Sequence, residues 1–567
     1  MRTHGSWRRY AVLSLVIGLS LTGNSHGALA AARPALPAGT QDQIVGPSAA
    51  QAAERLREAM EWERVQEQIA EDEKKRHQTV EQQEKDEIAE SSVAVKFVLK
   101  KVLHDSSAVL PEEEIQKVTA DYLDKEIEIR DLQEMAEKIT TLYREKGYVT
   151  CRAVIPPQRI HDGVVRVQLV EGRTGTIRME GNKNTKEGYI RKRLSLTPGA
   201  VDNIETLNRE LQWFHGTNDV QLRLVMKPGT AEGTTDYDIF VFEPPRQNLI
   251  SYSDNNGYKS SGRWRNGLFY TNRSLTGIRD TLRVNYMRSR GSDMWGLNYS
   301  IPVSPRGVRL DVEYTGSQSD IKKGELQALG VEGKASSYGM TVRVPLKVEP
   351  DRRYEAGLQL AHQSSKTDLG HGNKVSWLDD SLMRYIPYIS FTHYGHTSVV
   401  YHKHSLLRVS GDDSVYHEDY SGTLYRLASF YQKRYTHGQY IQGRLDIQQT
   451  SSNQLASADR FFIGGANTVR GYEESFIGGE KGLVMSMEYH VPCGKSHRYD
   501  PFAFLDFGTV SGETAPDDKS LVSIGLGTSY HYRRTNSSLT LGIPFKRELN
   551  NQHVDAVRLN LTVTTTF

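Results

Sequence analysis

A chain of 567 residues exceeds one ordinary domain and is expected to divide into several. Its formal net charge of +2 supplies no basic field of the kind a nucleic-acid surface needs, so nucleic acid is not an expected partner. Mean hydropathy is -0.55 and the body of the chain has no apolar run of roughly 18 residues, which excludes a bundle of membrane helices but not a membrane β-barrel.

The amino terminus has the layout of a secretory signal. Arg2, Arg8 and Arg9 precede an apolar stretch, residues 11–21, too short to span a bilayer, and Ala28-Leu29-Ala30 offers a small-residue cleavage site. Residues 1–30 are read as signal peptide and 31–92 as a linker followed by a polar helix. The helix is expected over about 48–90, which is dense in Ala, Glu, Gln, Arg and Lys and lacks Gly and Pro. Having little apolar face, it is either solvated or seated in a polar cavity elsewhere in the protein.

From Val93 the pattern changes. Val95, Phe97 and Leu99 alternate as in a strand, and Pro111 followed by Glu112, Glu113 and Glu114 opens a helix with acids where the macrodipole favours them. A second helix over 129–146 ends at Gly147, and strands over 150–160 and 164–170 flank a tight His161-Asp162-Gly163 turn. The same β-α-α-β-β order then recurs, with a strand over 175–180, helices over 187–196 and 204–214, and a hairpin of 220–226 with 235–242. Residues 93–173 and 174–245 are therefore expected to form a small tandem array. The run Arg152-Ala153-Val154-Ile155-Pro156-Pro157-Gln158, followed by Asp162-Gly163 and Val170-Glu171-Gly172, resembles polypeptide-transport-associated (POTRA) domains. A mixed sheet of this kind leaves an edge to which a client strand can add through main-chain hydrogen bonds; the alternative is a unit that only braces its neighbours.

Past Pro244-Pro245, over 246–567, helix signals vanish and roughly sixteen strand-length segments follow. Leu483, Met485, Met487, Tyr489 and Val491 alternate with mostly polar neighbours; Met340, Val342, Val344, Leu346 and Val348 do so against Thr341, Arg343 and Lys347, and Ile441, Leu445 and Ile447 against Gln442, Arg444, Asp446 and Gln448. Apolar outside with charge inside is the pattern of a membrane barrel with a wet lumen. At the carboxy terminus Val557, Leu559, Leu561, Val563, Thr565 and Phe567 share one face, and a last strand ending in phenylalanine resembles the signal that bacterial outer-membrane barrels present to their assembly machinery.

A long connection over 451–481 carries Val469-Arg470-Gly471-Tyr472, flanked by Gly464, Gly465, Gly478 and Gly479. A later strand holds Phe504, Asp506 and Gly508 on one face. If the loop folds into the lumen, Arg470 and Asp506 can pair bidentately; otherwise the loop is a surface hairpin with unrelated charges.

Polar helix, two POTRA-like units, about sixteen strands, Val-Arg-Gly-Tyr and Phe-x-Asp-x-Gly together resemble the TpsB transporters of two-partner secretion, the haemolysin and filamentous haemagglutinin secretion-activation type. The resemblance implies α+β POTRA domains in the periplasm followed by a transmembrane antiparallel β-barrel in the bacterial outer membrane. It also implies a plug role for the helix, a lumenal loop lying against the Asp506 strand, a secreted TpsA-type exoprotein as partner, and contact with outer-membrane lipid and with the barrel assembly machinery during biogenesis. The rival expectations are an assembly factor for other barrels and a passive porin, for which Arg283, Arg343 and Arg444 on inferred lumen faces would suit anions.

No nucleotide-binding, nucleophile-elbow or zincin motif is present, so the chain is read as a non-enzyme without cofactor or metal. His393, His396, His402 and His404 are expected in loops and lumen. Cys151 and Cys493, the two cysteines, set no disulfide framework.

Overall fold

The structure, a computed structural model, describes residues 49–75 and 96–567 apart from 232, 416, 454 and 495–497. The expected signal peptide and linker, and the expected helix beyond residue 75, lie outside the described residues.

Sixteen antiparallel strands close into a barrel, from Gln247–Asp254 to Arg558–Thr566. Period-2 alternation sets the two faces. Along Lys481–His490, Met485, Met487 and Tyr489 are exposed on the outer wall, while Val484 and His490 are buried inside. The closing seam pairs Thr562 with Asp254 and Thr566 with Ile250. Beyond it the Asn255 side chain takes the place of a strand residue, donating to the Leu559 carbonyl at 2.9 Å and accepting from the Leu561 amide at 2.8 Å.

Two sequence expectations change here. A bulge between Pro345 and Lys347 sets Lys347 opposite Tyr354, so Lys347 leaves the face of Arg343; proline has no N–H for the ladder, and the register slips there. His393, His402 and His404 lie on the outer wall rather than in the lumen, because they alternate with the inward-facing Thr392, Tyr401 and Lys403. Two find hydroxyl partners there: His402 with Ser429 at 2.9 Å and His404 with Tyr425 at 2.8 Å. Such capping lowers the cost of an imidazole in an apolar belt.

The α/β region ahead of the barrel contains two units of the same topology. In the first, Lys101–His104 runs parallel to Val164–Val170, which pairs antiparallel with Arg152–Val154. In the second, Arg173–Glu180 runs parallel to Thr234–Phe242, which pairs antiparallel with Gln221–Pro228. The expected strand over 150–160 stops at Val154. Pro156 and Pro157 cannot donate, and the Gln158 side chain instead exchanges two hydrogen bonds of 2.7 Å with the main chain of Arg166. The helix expected over 187–196 is only Glu187–Arg191.

Each unit has its own apolar core. Helix Ile129–Glu145 gives Leu132, Met135, Ile139 and Tyr143 to the first, and Ile204–Thr217 gives Leu207, Leu211 and Phe214 to the second. Cys151 is buried in the first core, where burial pushes its thiol up to about 11; Cys493 is exposed, and both are free. At the junction the Gly147 carbonyl accepts from the Ile204 amide at 2.8 Å. Gly147 has φ +84°, and a Cβ there would stand 2.9 Å from Asn203 and Glu205 side-chain atoms, so the contact requires glycine. The second unit docks on the turns at one mouth of the barrel: Arg279 pairs with Asp219, Trp213 donates to the Arg306 carbonyl at 3.1 Å, and Arg353 donates to the Gly216 carbonyl.

Candidate functional site

Helix α1, Ala49–Lys75, is 27 residues long and spans about 40 Å. It runs through the lumen with its amino terminus at the mouth opposite the docked units. Ala49 and Ala50 pack with Ala335, Leu382, Leu407 and Val409, and at the other end Asp72 accepts from Tyr394 at 2.6 Å. Apolar packing is local: Trp62 meets Tyr401 and Phe430 edge-on at 6.3 and 5.5 Å. Leu56 packs against Met287 and Met294, Val65 and Ile69 against Tyr394 and Val399, and ion pairs add to these contacts. Arg55 pairs with Glu474, Lys403 with Glu61, Arg273 with Glu67, and Arg64 approaches Glu355 at 3.8 Å. The sharper of the two expectations for the helix is thus the observed one: a polar helix survives inside the barrel because the barrel interior is itself polar.

The connection between strands Tyr440–Thr450 and Lys481–His490 folds inward, as its glycines permit. Gly464, Gly465 and Gly471 all have positive φ, at +104°, +106° and +95°. One anchor is Asp459, which accepts from Arg384 at 2.8 Å with both groups buried. The second is Arg470. Its Nε and Nη2 each donate to Asp506 at 2.7 Å, and its main-chain N–H donates to the same carboxylate at 3.0 Å. The guanidinium also reaches Glu488 and, at 2.9 Å, Ser486, while its carbon sits 3.6 Å over the Phe504 ring. Asp506 is fully buried, so this is a desolvated, saturated fork rather than a surface pair.

The rest of the motif builds the seat. Val469 and Tyr472 are buried, and the Tyr472 hydroxyl donates to the Val522 carbonyl at 3.0 Å. Gly508 lets Val469 in: a Cβ there would lie 2.8 Å from Val469 Cγ2. Val469, Arg470, Gly471, Tyr472, Phe504, Asp506 and Gly508 are therefore all brought together at one spot.

Sequence reasoning missed the partners around them. Glu488 is held on its far side by His490 at 2.9 Å, and His490 in turn contacts Asp500 at 2.9 Å while stacking between Tyr440 and Phe502. Alternation along Lys481–His490 was the available signal, since it turns Ser486, Glu488 and His490 all inward. Glu474, two residues past Tyr472, ties the same loop to α1 through Arg55, a contact between segments 419 apart that no local pattern reveals. Arg343 pairs with Asp311, Arg283 approaches Glu67 at 3.5 Å and Arg444 pairs with Asp446, so these lumen cations have partners.

In the first α/β unit, Glu171 accepts from the Ser107 hydroxyl at 2.6 Å, the Ala108 amide at 2.9 Å and the Tyr143 hydroxyl at 3.2 Å. Burial raises the Tyr143 phenol. Gly172 is needed where a Cβ would meet Thr150 at 2.5 Å, and Gly163, at φ +71°, closes the turn after Asp162. These residues latch the unit; Arg152 is exposed on its short edge strand.

A family model described as haemolysin secretion/activation protein ShlB/FhaC/HecB matches residues 238–530, and one described as POTRA domain, ShlB-type, matches residues 97–172. The heme/hemopexin transporter protein HuxB of Haemophilus influenzae is 26% identical over 285 residues, covering 49% of this chain and 50% of that protein. The outer membrane transporter CdiB of Escherichia coli is 26% identical over 229 residues, 40% of this chain and 38% of that protein. The chain thus spans about half the length, or less, of these curated relatives. The solved structure of CdiB from Acinetobacter baumannii shares the fold, with a TM-score of 0.64 and 17% identity over 92% of this chain and 99% of that one.

Proposed function

The chain belongs to the haemolysin secretion/activation protein family, and on that premise we propose that it is a pore that secretes an unfolded partner exoprotein from the periplasm to the cell surface. The partner is of the adhesin, haemolysin or contact-dependent toxin class. As an outer-membrane barrel of this family the protein carries its POTRA region in the periplasm. The observation that carries the reading is α1 seated in the lumen by ion pairs and tied by Glu474 to the loop that Arg470 anchors.

A helix held by charge can leave a wet channel without exposing a large apolar face, whereas an apolar plug could not. The client adds a strand to a free edge of the periplasmic units, displaces α1 and threads past the Arg470 loop. Movement is drawn outward by folding of the client outside. In biogenesis the last strand, Arg558–Thr566, with Phe567 exposed beyond it, is the feature offered to the barrel assembly machinery, and the outer apolar belt meets outer-membrane lipid.

Mass spectrometry of the medium and the outer membrane, from cells with and without this chain, tests the reading. Loss of one large secreted protein, with the membrane proteins unchanged, is the expected result. Broad loss of other barrels from the membrane would replace it with an assembly factor, and no change in either fraction would leave a passive porin.

A further inference from the structure

Charge is unevenly divided across the interface between α1 and the lumen wall. Five wall cations reach carboxylates of the helix: Arg426 to Glu54 at 3.7 Å, Lys403 to Glu61, Arg273 and Arg283 to Glu67, and Arg353 to Asp72 at 3.9 Å. The reverse sense occurs at Arg64 with Glu355 of the wall and at Arg55 with Glu474 of the loop. Glu54, Glu61 and Asp72 are separated by close to two and then three helical turns, so they form one acidic face directed at one row of cations. The wall on the other side of the lumen is different. There Ser529, Asn536, Ser538, Thr562 and Thr564, together with Arg498, Asp500 and His531, line a cavity of about 390 Å³ that the helix does not fill.

We propose that the wall beneath α1 is a binding track for acidic segments of an unfolded polypeptide, and that α1 is its built-in occupant. The proposal rests on the pore reading above and names the chemistry that the pore selects. Removing α1 clears the helix carboxylates from five lumen cations; Arg273, Arg353 and Arg426 keep Asp219, Glu355 and Asp459 within 4.0 Å, while Lys403 and Arg283 lose the carboxylates they pair with, and a partly desolvated cation without its anion is costly. An acidic stretch exchanges with Glu54, Glu61, Glu67 and Asp72 one pair at a time, so no step strips the whole track. Several weak sites in series also let the occupant move on, where a single strong site would trap it.

The test uses the full chain with Glu54→Gln, Glu61→Gln, Glu67→Gln and Asp72→Asn in a planar bilayer under a potassium chloride gradient. Heat-modifiable migration serves as the control for a closed barrel. The variant is expected to open more often than the unaltered chain, to pass chloride several-fold better than potassium, and to be blocked from the periplasmic side by polyglutamate but not by polylysine of equal length. Adding Arg283→Gln and Lys403→Gln should remove both the preference and the block. Frequent openings that are unselective, or that polylysine blocks equally, would overturn the track and leave the pore reading standing. A closed, folded barrel with no openings in either protein would overturn the pore reading itself.

Discussion

Arg470 and Asp506 are worth more than their number suggests because of where they sit. Both are buried, the arginine spends its donors on Asp506, Ser486 and Glu488, and its plane rests on Phe504. Arg470→Ala leaves the buried Asp506 carboxylate without its cation and Glu488 with His490 alone, a loss of about 3–5 kcal/mol in loop docking. Secretion should fall while the barrel stays inserted and heat-modifiable; wild-type secretion by this variant would remove the loop from the mechanism. Arg470→Lys should not rescue, because an ammonium cannot span both Asp506 oxygens and lie flat on a ring.

At the scale of elements, the loop and the strand Thr535–Pro544 fit through facing glycines. A Cβ on Gly542 would stand 2.6 Å from the Gly471 amide nitrogen and 2.9 Å from the Arg470 carbonyl carbon, and backbone cannot swing aside as a side chain can. Gly542→Ala should therefore unseat the loop at a cost of about 1–3 kcal/mol, with every charged partner still present. Limited proteolysis of whole cells reads this directly: new cleavage between residues 460 and 480 is expected, and an unchanged pattern would mean that the strand tolerates the methyl group. Helix α1 depends on the same loop through Arg55 and Glu474, so one displaced element loosens the other.

For the whole molecule, the periplasmic units and the pore are coupled mainly through the second unit. Arg279 lies at φ +59° in a barrel turn with its buried guanidinium on Asp219 at 2.8 Å, beside the Trp213 to Arg306 contact. Arg279→Ala should let the unit swing. In a background carrying Trp213→Cys and Arg306→Cys, cross-linking across the junction should drop several-fold, and secretion should drop with it. Undiminished cross-linking would assign the coupling to the remaining turn contacts.

Much of this architecture was legible in the chain because it is written in local periodicity. Alternation places Met485, Met487 and Tyr489 outside and Asp506 inside, and the repeated β-α-α-β-β order marks both periplasmic units. Glycines around Arg470 announced an unusual loop, and Asp506 was the acid on the right face to receive it. Periodicity failed where one residue breaks it: Pro345 slipped the register that carries Lys347, and Pro156-Pro157 ended a strand that Gln158 then completes with a side chain. It also left His402 and His404 on the wrong side, since imidazole suits either face until the neighbouring Lys403 is tied to Glu61. Only the closed barrel decided the rest. Glu474 meeting Arg55, Asp459 meeting Arg384, and the acidic face of α1 meeting Arg426, Lys403 and Arg353 are pairings between distant segments, and charge alone names no partner until closure brings a cation within reach.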